Sequence, residues 1–68
     1  MTLNEIILNA VWINEKTRVI VKYQDNRGVA HTLAEGAWFR DQILYWGAYR
    51  VGKLVMDFYA GEAVFYIV

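Results

Sequence analysis

The chain has 68 residues, 57% of them apolar or aromatic, and its seven Lys and Arg are balanced by seven Asp and Glu. A chain of this length supports a single domain spanning residues 1–68. Cysteine and serine are both missing from it. That excludes a disulfide or thiolate–metal framework and a Ser or Cys nucleophile, and zero net charge removes the basic surplus with which nucleic-acid binders neutralise phosphates.

The first predicted element is a helix. Thr2-Leu3-Asn4-Glu5 is a capping box, in which the Thr2 hydroxyl accepts from the Glu5 amide and the Glu5 carboxylate accepts from the Thr2 amide. Leu3, Ile6, Ile7, Ala10 and Val11 then recur on one stripe of a helix that Asn14 ends. A β-hairpin follows. Arg18 to Gln24 alternates, with Val19, Val21 and Tyr23 on one face and Ile20 on the other. Asp25-Asn26-Arg27-Gly28 reads as a type I turn closed by a glycine bulge, which sets Tyr23 opposite His31 and Val21 opposite Leu33.

Ala34 to Gln42 is expected to be a short helix or turn that carries Trp38 and Phe39 onto the core. The last third reads as a three-stranded meander over Leu44–Val51, Leu54–Ala60 and Ala63–Val68, because Gly52-Lys53 and Gly61-Glu62 are both Gly-X signatures of two-residue turns. This register sorts the side chains into two layers. Tyr45, Tyr49, Val51, Leu54, Met56, Phe58, Phe65 and Ile67 form an apolar core face. Trp46, Arg50, Val55, Asp57, Tyr59, Val64, Tyr66 and Val68 form the opposite face, with Arg50 and Asp57 as a cross-strand ion pair. The apolar run Val64–Val68 must be paired within the sheet, since an open apolar edge is an aggregation site. The expected fold is α+β: an N-terminal helix packed on an antiparallel sheet of about five strands, the hairpin plus the meander. A small β-barrel is the alternative.

The chemistry is sparse. His31, the only histidine, is expected to pair with a phenol or carbonyl beside Tyr23, and the carboxylates are dispersed along the chain. No glycine-rich phosphate loop and no metal-ligand spacing occurs, so the reading is a non-enzymatic protein with no cofactor. The outer layer is the functional candidate. Trp, Tyr and Arg concentrate at interface hot spots, which selects Trp46, Arg50, Tyr59 and Tyr66 as partner-binding residues. A small domain with this apolar excess covers the surplus by pairing, which predicts a homodimer or another protein partner. Single-stranded nucleic-acid binding is the alternative, with Tyr45, Trp46, Tyr49 and Arg50 stacking bases from one strand and Lys53 just beyond. The N-terminus carries no basic region or cleavage site of a signal peptide, and the longest apolar run falls well short of the ~18 residues a membrane span needs. The expected location is the cytoplasm.

Met1–Glu5, Thr17–Val21, the Asp25–Gly28 turn and the closing strands Leu54–Tyr59 and Ala63–Val68 resemble short orphan proteins of bacteriophage and prophage genomes. The resemblance implies a phage-encoded accessory protein in a bacterial cytoplasm that inhibits host or defence machinery, as anti-CRISPR proteins do. Many anti-CRISPR proteins are acidic mimics of DNA. A neutral chain would instead inhibit through a shaped apolar face.

Overall fold

A computed structural model describes all 68 residues. The elements run α1 (Leu3–Asn9), β1 (Arg18–Gln24), β2 (Ala30–Gly36), α2 (Asp41–Leu44), β3 (Val51–Asp57) and β4 (Glu62–Ile67). The strands form one open sheet in the order β2-β1-β4-β3. The pairs β1–β2 and β3–β4 are antiparallel, and β1–β4 is parallel. The α+β class stands as expected. The sheet does not: it is mixed rather than antiparallel, has four strands rather than five, and is not closed into a barrel.

Central placement of β1 and β4 follows from their composition. Strands flanked by neighbours on both sides present no open edge, so they can carry apolar runs without inviting edge-to-edge aggregation. Val19, Ile20 and Val21 of β1 are all buried, as are Ala63 and Phe65 of β4. The terminal apolar run is therefore paired on both sides, between β1 and β3.

α1 is short because tertiary packing ends it early. The capping box forms: the Thr2 amide donates to Glu5 Oε1 at 2.9 Å and the Glu5 amide donates to Thr2 Oγ1 at 3.3 Å. The amides of Leu3 and Asn4 donate to the carbonyls of Tyr49 and Gly47 at 2.9 and 2.8 Å, so the first-turn donors are satisfied by a distant segment. The helix closes at Asn9, not Asn14, and Val11 is 97% exposed instead of lying on the buried stripe. Ile13 explains this. At ~100° per residue a continued helix would carry Ile13 roughly 120° around the axis from Ile7. Leaving the helix lets Ile13 turn inward to join Leu3, Ile7, Val19, Val21, Ala63, Phe65 and Ile43 in one core cluster.

The first hairpin forms with the expected turn. Gly28 has φ +82°, a conformation that costs glycine nothing sterically, and Tyr23 lies opposite His31. Beyond the turn a bulge inserts Leu33, so that Val21 faces Ala34 instead. Trp38 packs against the core as expected, whereas Phe39 stays exposed, edge-on to Trp38 at 5.6 Å.

The first meander strand does not form. Residues 41–48 make α2 and a run of turns. The carbonyls of Gly47 and Tyr49 are taken by the α1 amides and are not available to a neighbouring strand. Gly52 makes no turn. It lies within β3 at a bulge between Val51 and Lys53, without the positive φ that a type II′ turn demands. Gly61, with φ +67°, instead closes a longer β3–β4 turn. Asp57 thus faces Glu62 and Leu54 faces Phe65, while Phe58 sits in the turn, 74% exposed. This slip keeps each β3 and β4 residue on its expected face. Arg50 and Asp57 form no ion pair; Asp57 Oδ1 accepts from the Ala60 amide at 3.1 Å.

Gly47 is where α1 meets the turn after α2. A Cβ there would lie 2.8 Å from Asn4 Cγ and Oδ1. Gly47→Ala is expected to destabilise the fold by about 1–3 kcal/mol through overpacking. Combining it with Asn4→Ala should recover most of that loss, a non-additivity that urea titration of the four-member cycle measures.

Candidate protein-binding surfaces

The four residues expected to share a binding face are dispersed. Trp46 leaves the sheet entirely. It is half-buried against the core on the helix side, with Tyr45 and Tyr49 rings 5.0 and 4.9 Å away. Arg50 is exposed beside the N-terminus, where its position bridges to Thr2. Tyr59 stands free at the β3–β4 turn. Only Tyr66 lies on the outer face of the sheet, half-buried, with Lys53 Nζ 5.3 Å from its ring centroid. The cause is the missing strand: its two-residue alternation was the only thing that placed Trp46 and Arg50 beside Tyr66. The same absence removes the strand that would have stacked bases.

Two surfaces remain. The first surrounds α1. A groove of about 310 Å³ between the helix and β3 is lined by Met1, Ile6, Asn9, Ala10, Trp12 and Leu54. A second, of about 330 Å³, opens on the other side, where Leu8, Val11 and Trp38 contribute. Leu8 and Val11 stand exposed beside the second groove, and Leu54 and Phe58 lie exposed along β3 and its turn. The sequence held a signal for Leu8, a large apolar residue off the helical stripe, and the reading above does not use it.

The second surface is the outer face of the sheet. Both helices lie on the opposite side, because Leu3, Ile7 and Ile43 share the core with Val19, Val21 and Phe65. Side-chain alternation and register put Ile20, Val64 and Val55 in one row across β1, β4 and β3. Toward one end the next row is Lys22, Tyr66 and Lys53; toward the other it is Arg18, Glu62 and Asp57. Arg18 binds Glu35 at 2.8 Å. The hydrogen bond and charge of Glu35, with Glu62 adding to them, raise the Arg18 pKa above its already high value. Lys22 and Glu62 were missed because nothing local in the sequence announces that β1 lies beside β4.

The hairpin tip carries the one arrangement with proton-transfer chemistry. His31 Nε2 lies 2.9 Å from Asp25 Oδ2, and the His31 ring stacks on Tyr23 at 5.1 Å. The partner of His31 is thus a carboxylate, not the expected phenol or carbonyl. Asp25 Oδ1 accepts from the amides of Arg27 and Val29 at 2.9 and 3.0 Å, so the carboxylate is already engaged in holding the turn. The His31 bond, followed by that from Val29, holds the Asp25 pKa below its ordinary value. A carboxylate depressed in the folded state stabilises the fold above its unfolded pKa of ~3.9 and loses that contribution as pH falls through the lower folded value. Glu5, lowered by its bonds to Thr2, acts with the same sign. The Arg27 and Val29 amide resonances are expected to titrate with a midpoint below the ordinary aspartate range, and Asp25→Asn should abolish that titration.

No group of three or more His, Cys, Asp or Glu is placed to hold a metal ion. No helix is long and apolar enough to cross a membrane. Compared with protein-family models, curated proteins and solved structures, the chain matches none of them.

Proposed function

We infer that this chain is a small non-enzymatic binding module that grips a protein partner through the apolar surface around α1. The observation that carries this reading is the exposure of Leu8, Val11 and Leu54 in the lining of two apolar grooves. Exposed contiguous apolar surface on a small domain marks an interaction site. The fitting occupant is an extended segment of the partner. The outer edge of β3 has no neighbouring strand, so such a segment adds to it by main-chain hydrogen bonds while its apolar side chains enter the groove at Leu54. Met1 to Leu3 pair only with the start of this edge, through Tyr49 and Val51.

Together with the resemblance to phage and prophage proteins, this surface suits a phage-encoded inhibitor of host or defence machinery acting in the bacterial cytoplasm. Zero net charge fits inhibition by shape rather than by imitation of nucleic acid.

The test is quantitative capture of bacterial proteins by the tagged chain and by its Val11→Lys/Leu54→Lys variant. Both side chains are exposed, so the fold is expected to survive. The partner's affinity should drop about 30-fold or more, the loss of a single hot-spot contact worth ~2 kcal/mol. Undiminished capture by the double variant would assign binding to another surface.

A further inference from the structure

We propose that the outer face of the sheet is a self-complementary docking surface for a second copy of this chain, packed face to face about a two-fold axis. This goes beyond the reading above and uses the opposite side of the molecule. The charge pattern of this face favours such pairing. Lys22 and Lys53 flank Tyr66 at one end of the face; Glu62 and Asp57 lie at the other, where Glu35 is already paired with Arg18. Ile20, Val64 and Val55 fill the middle row. Two-fold pairing requires a patch that matches itself. If the axis runs across the strands, between the two sheets, the second copy presents the same rows in reversed order. Apolar row then meets apolar row, and the lysine end of each copy lies over the carboxylate end of the other. An axis along the strands would instead superpose like charges, so the pattern selects one arrangement.

The Lys53 ammonium then faces Asp57 of the second copy. Lys22 lies over Arg18 of the second copy, whose charge is already balanced within its own chain by Glu35 at 2.8 Å. The Tyr66 hydroxyl has a carboxylate within its reach, and each contact occurs twice. Long-range repulsion is absent, because each copy carries no net charge. At ~4.8 Å between strands and ~3.3 Å per residue, the face covers roughly 400 Å² per copy. Over two copies the total stays below the ~1,000 Å² of a stable interface, so the pair is a weak, transient one. Ile20 is only 8% exposed even without a partner, so its own burial adds little. The dimer is therefore held largely by matched charge, and its affinity falls as salt rises.

Sedimentation equilibrium from about 10 µM to about 1 mM tests this by mass action. At low salt the wild-type chain is expected to move toward twice its 7.9 kDa protomer mass, and to return toward the protomer mass in high salt. Two variants separate the ends of the face. Lys22→Glu/Lys53→Glu leaves Arg18, already paired with Glu35, as the only base in the three rows. Asp57→Asn/Glu62→Lys makes it basic, and the asparagine keeps an acceptor oxygen for the Ala60 amide. Each variant alone should remain monomeric, and the two mixed in equal amounts should recover association, more weakly than the wild type because only one of the two Lys53–Asp57 contacts re-forms. That rescue also shows that both variants are folded. A wild-type chain that stays monomeric throughout the range would overturn the proposal, as would variants that self-associate unchanged or a mixture that fails to pair. The Val11→Lys/Leu54→Lys variant should dimerise normally, so failure here is distinct from failure of the α1 surface.

Discussion

Phe65→Ala is expected to cost about 3–5 kcal/mol, the range for emptying a fully buried aromatic site. Phe65 is completely buried in the middle of β4, between Val21 of β1 and Leu54 of β3. Its ring fills the space beneath α1, where it shares the core with Leu3 and Ile7. A domain of this size has roughly 3–10 kcal/mol of stability in total at ~0.05–0.15 kcal/mol per residue. The substitution should therefore remove most of the stability, leaving a chain with a greatly lowered or absent cooperative melt by circular dichroism. Phe58→Ala is the control. Phe58 is largely exposed on the β3–β4 turn, and its loss should stay within about 0.5 kcal/mol. Two-residue turns at Gly52 and Gly61 would have made these two phenylalanines cross-strand core partners of similar weight. Equal losses at both positions would restore that register.

Ile43→Ala is expected to cost about 2–5 kcal/mol. Ile43 is fully buried although α2 has four residues, far too few to be stable alone. The helix exists because Ile43 is held in the core. Around it the Ile43 amide donates to the Arg40 carbonyl at 2.9 Å, and the Ile43 carbonyl accepts from the Trp46 amide at 3.0 Å. Losing the anchor should release the whole segment from Asp41 to Tyr49. That segment also supplies the carbonyls that receive the first amides of α1, so the helix should loosen with it. Hydrogen exchange is the measurement. Amides of Tyr45, Trp46, Leu3 and Asn4 should lose more protection than those of Val19 and Val21 in β1. Leu44→Ala, at an exposed neighbour, should leave all of them nearly unchanged.

Much of the local structure was legible in the sequence. The capping box, the Asp25–Gly28 turn and the strands β1, β2, β3 and β4 all rest on contacts between residues a few positions apart, and periodicity reports such contacts. The inner and outer faces of β3 and β4 were legible for the same reason, since alternation survives a register slip of an even number of residues. The stretch from Leu44 to Val51 misled because its aromatic residues suit a strand as well as they suit a packed turn. Tyr45, Trp46 and Tyr49 gather around each other there, and Trp46 faces the core. For the candidate surfaces, Tyr66 and Val55 were placed on the outer layer correctly, but the charge rows around them were hidden.

By itself, then, the sequence determined the capped start of α1, the Asp25–Gly28 turn and which side chains β3 and β4 present to which side. The tertiary structure alone decided that β4 inserts parallel to β1, that Ile13 and Ile43 complete the core, and that Lys22 shares a face with Lys53 while Glu62 opposes them. The physical reason is separation along the chain. Val21 and Phe65 are neighbours only after the intervening residues have folded back, and burial of apolar surface, which drives that closure, is non-directional. It rewards any arrangement that fills the space and leaves no local pattern naming the one it chose.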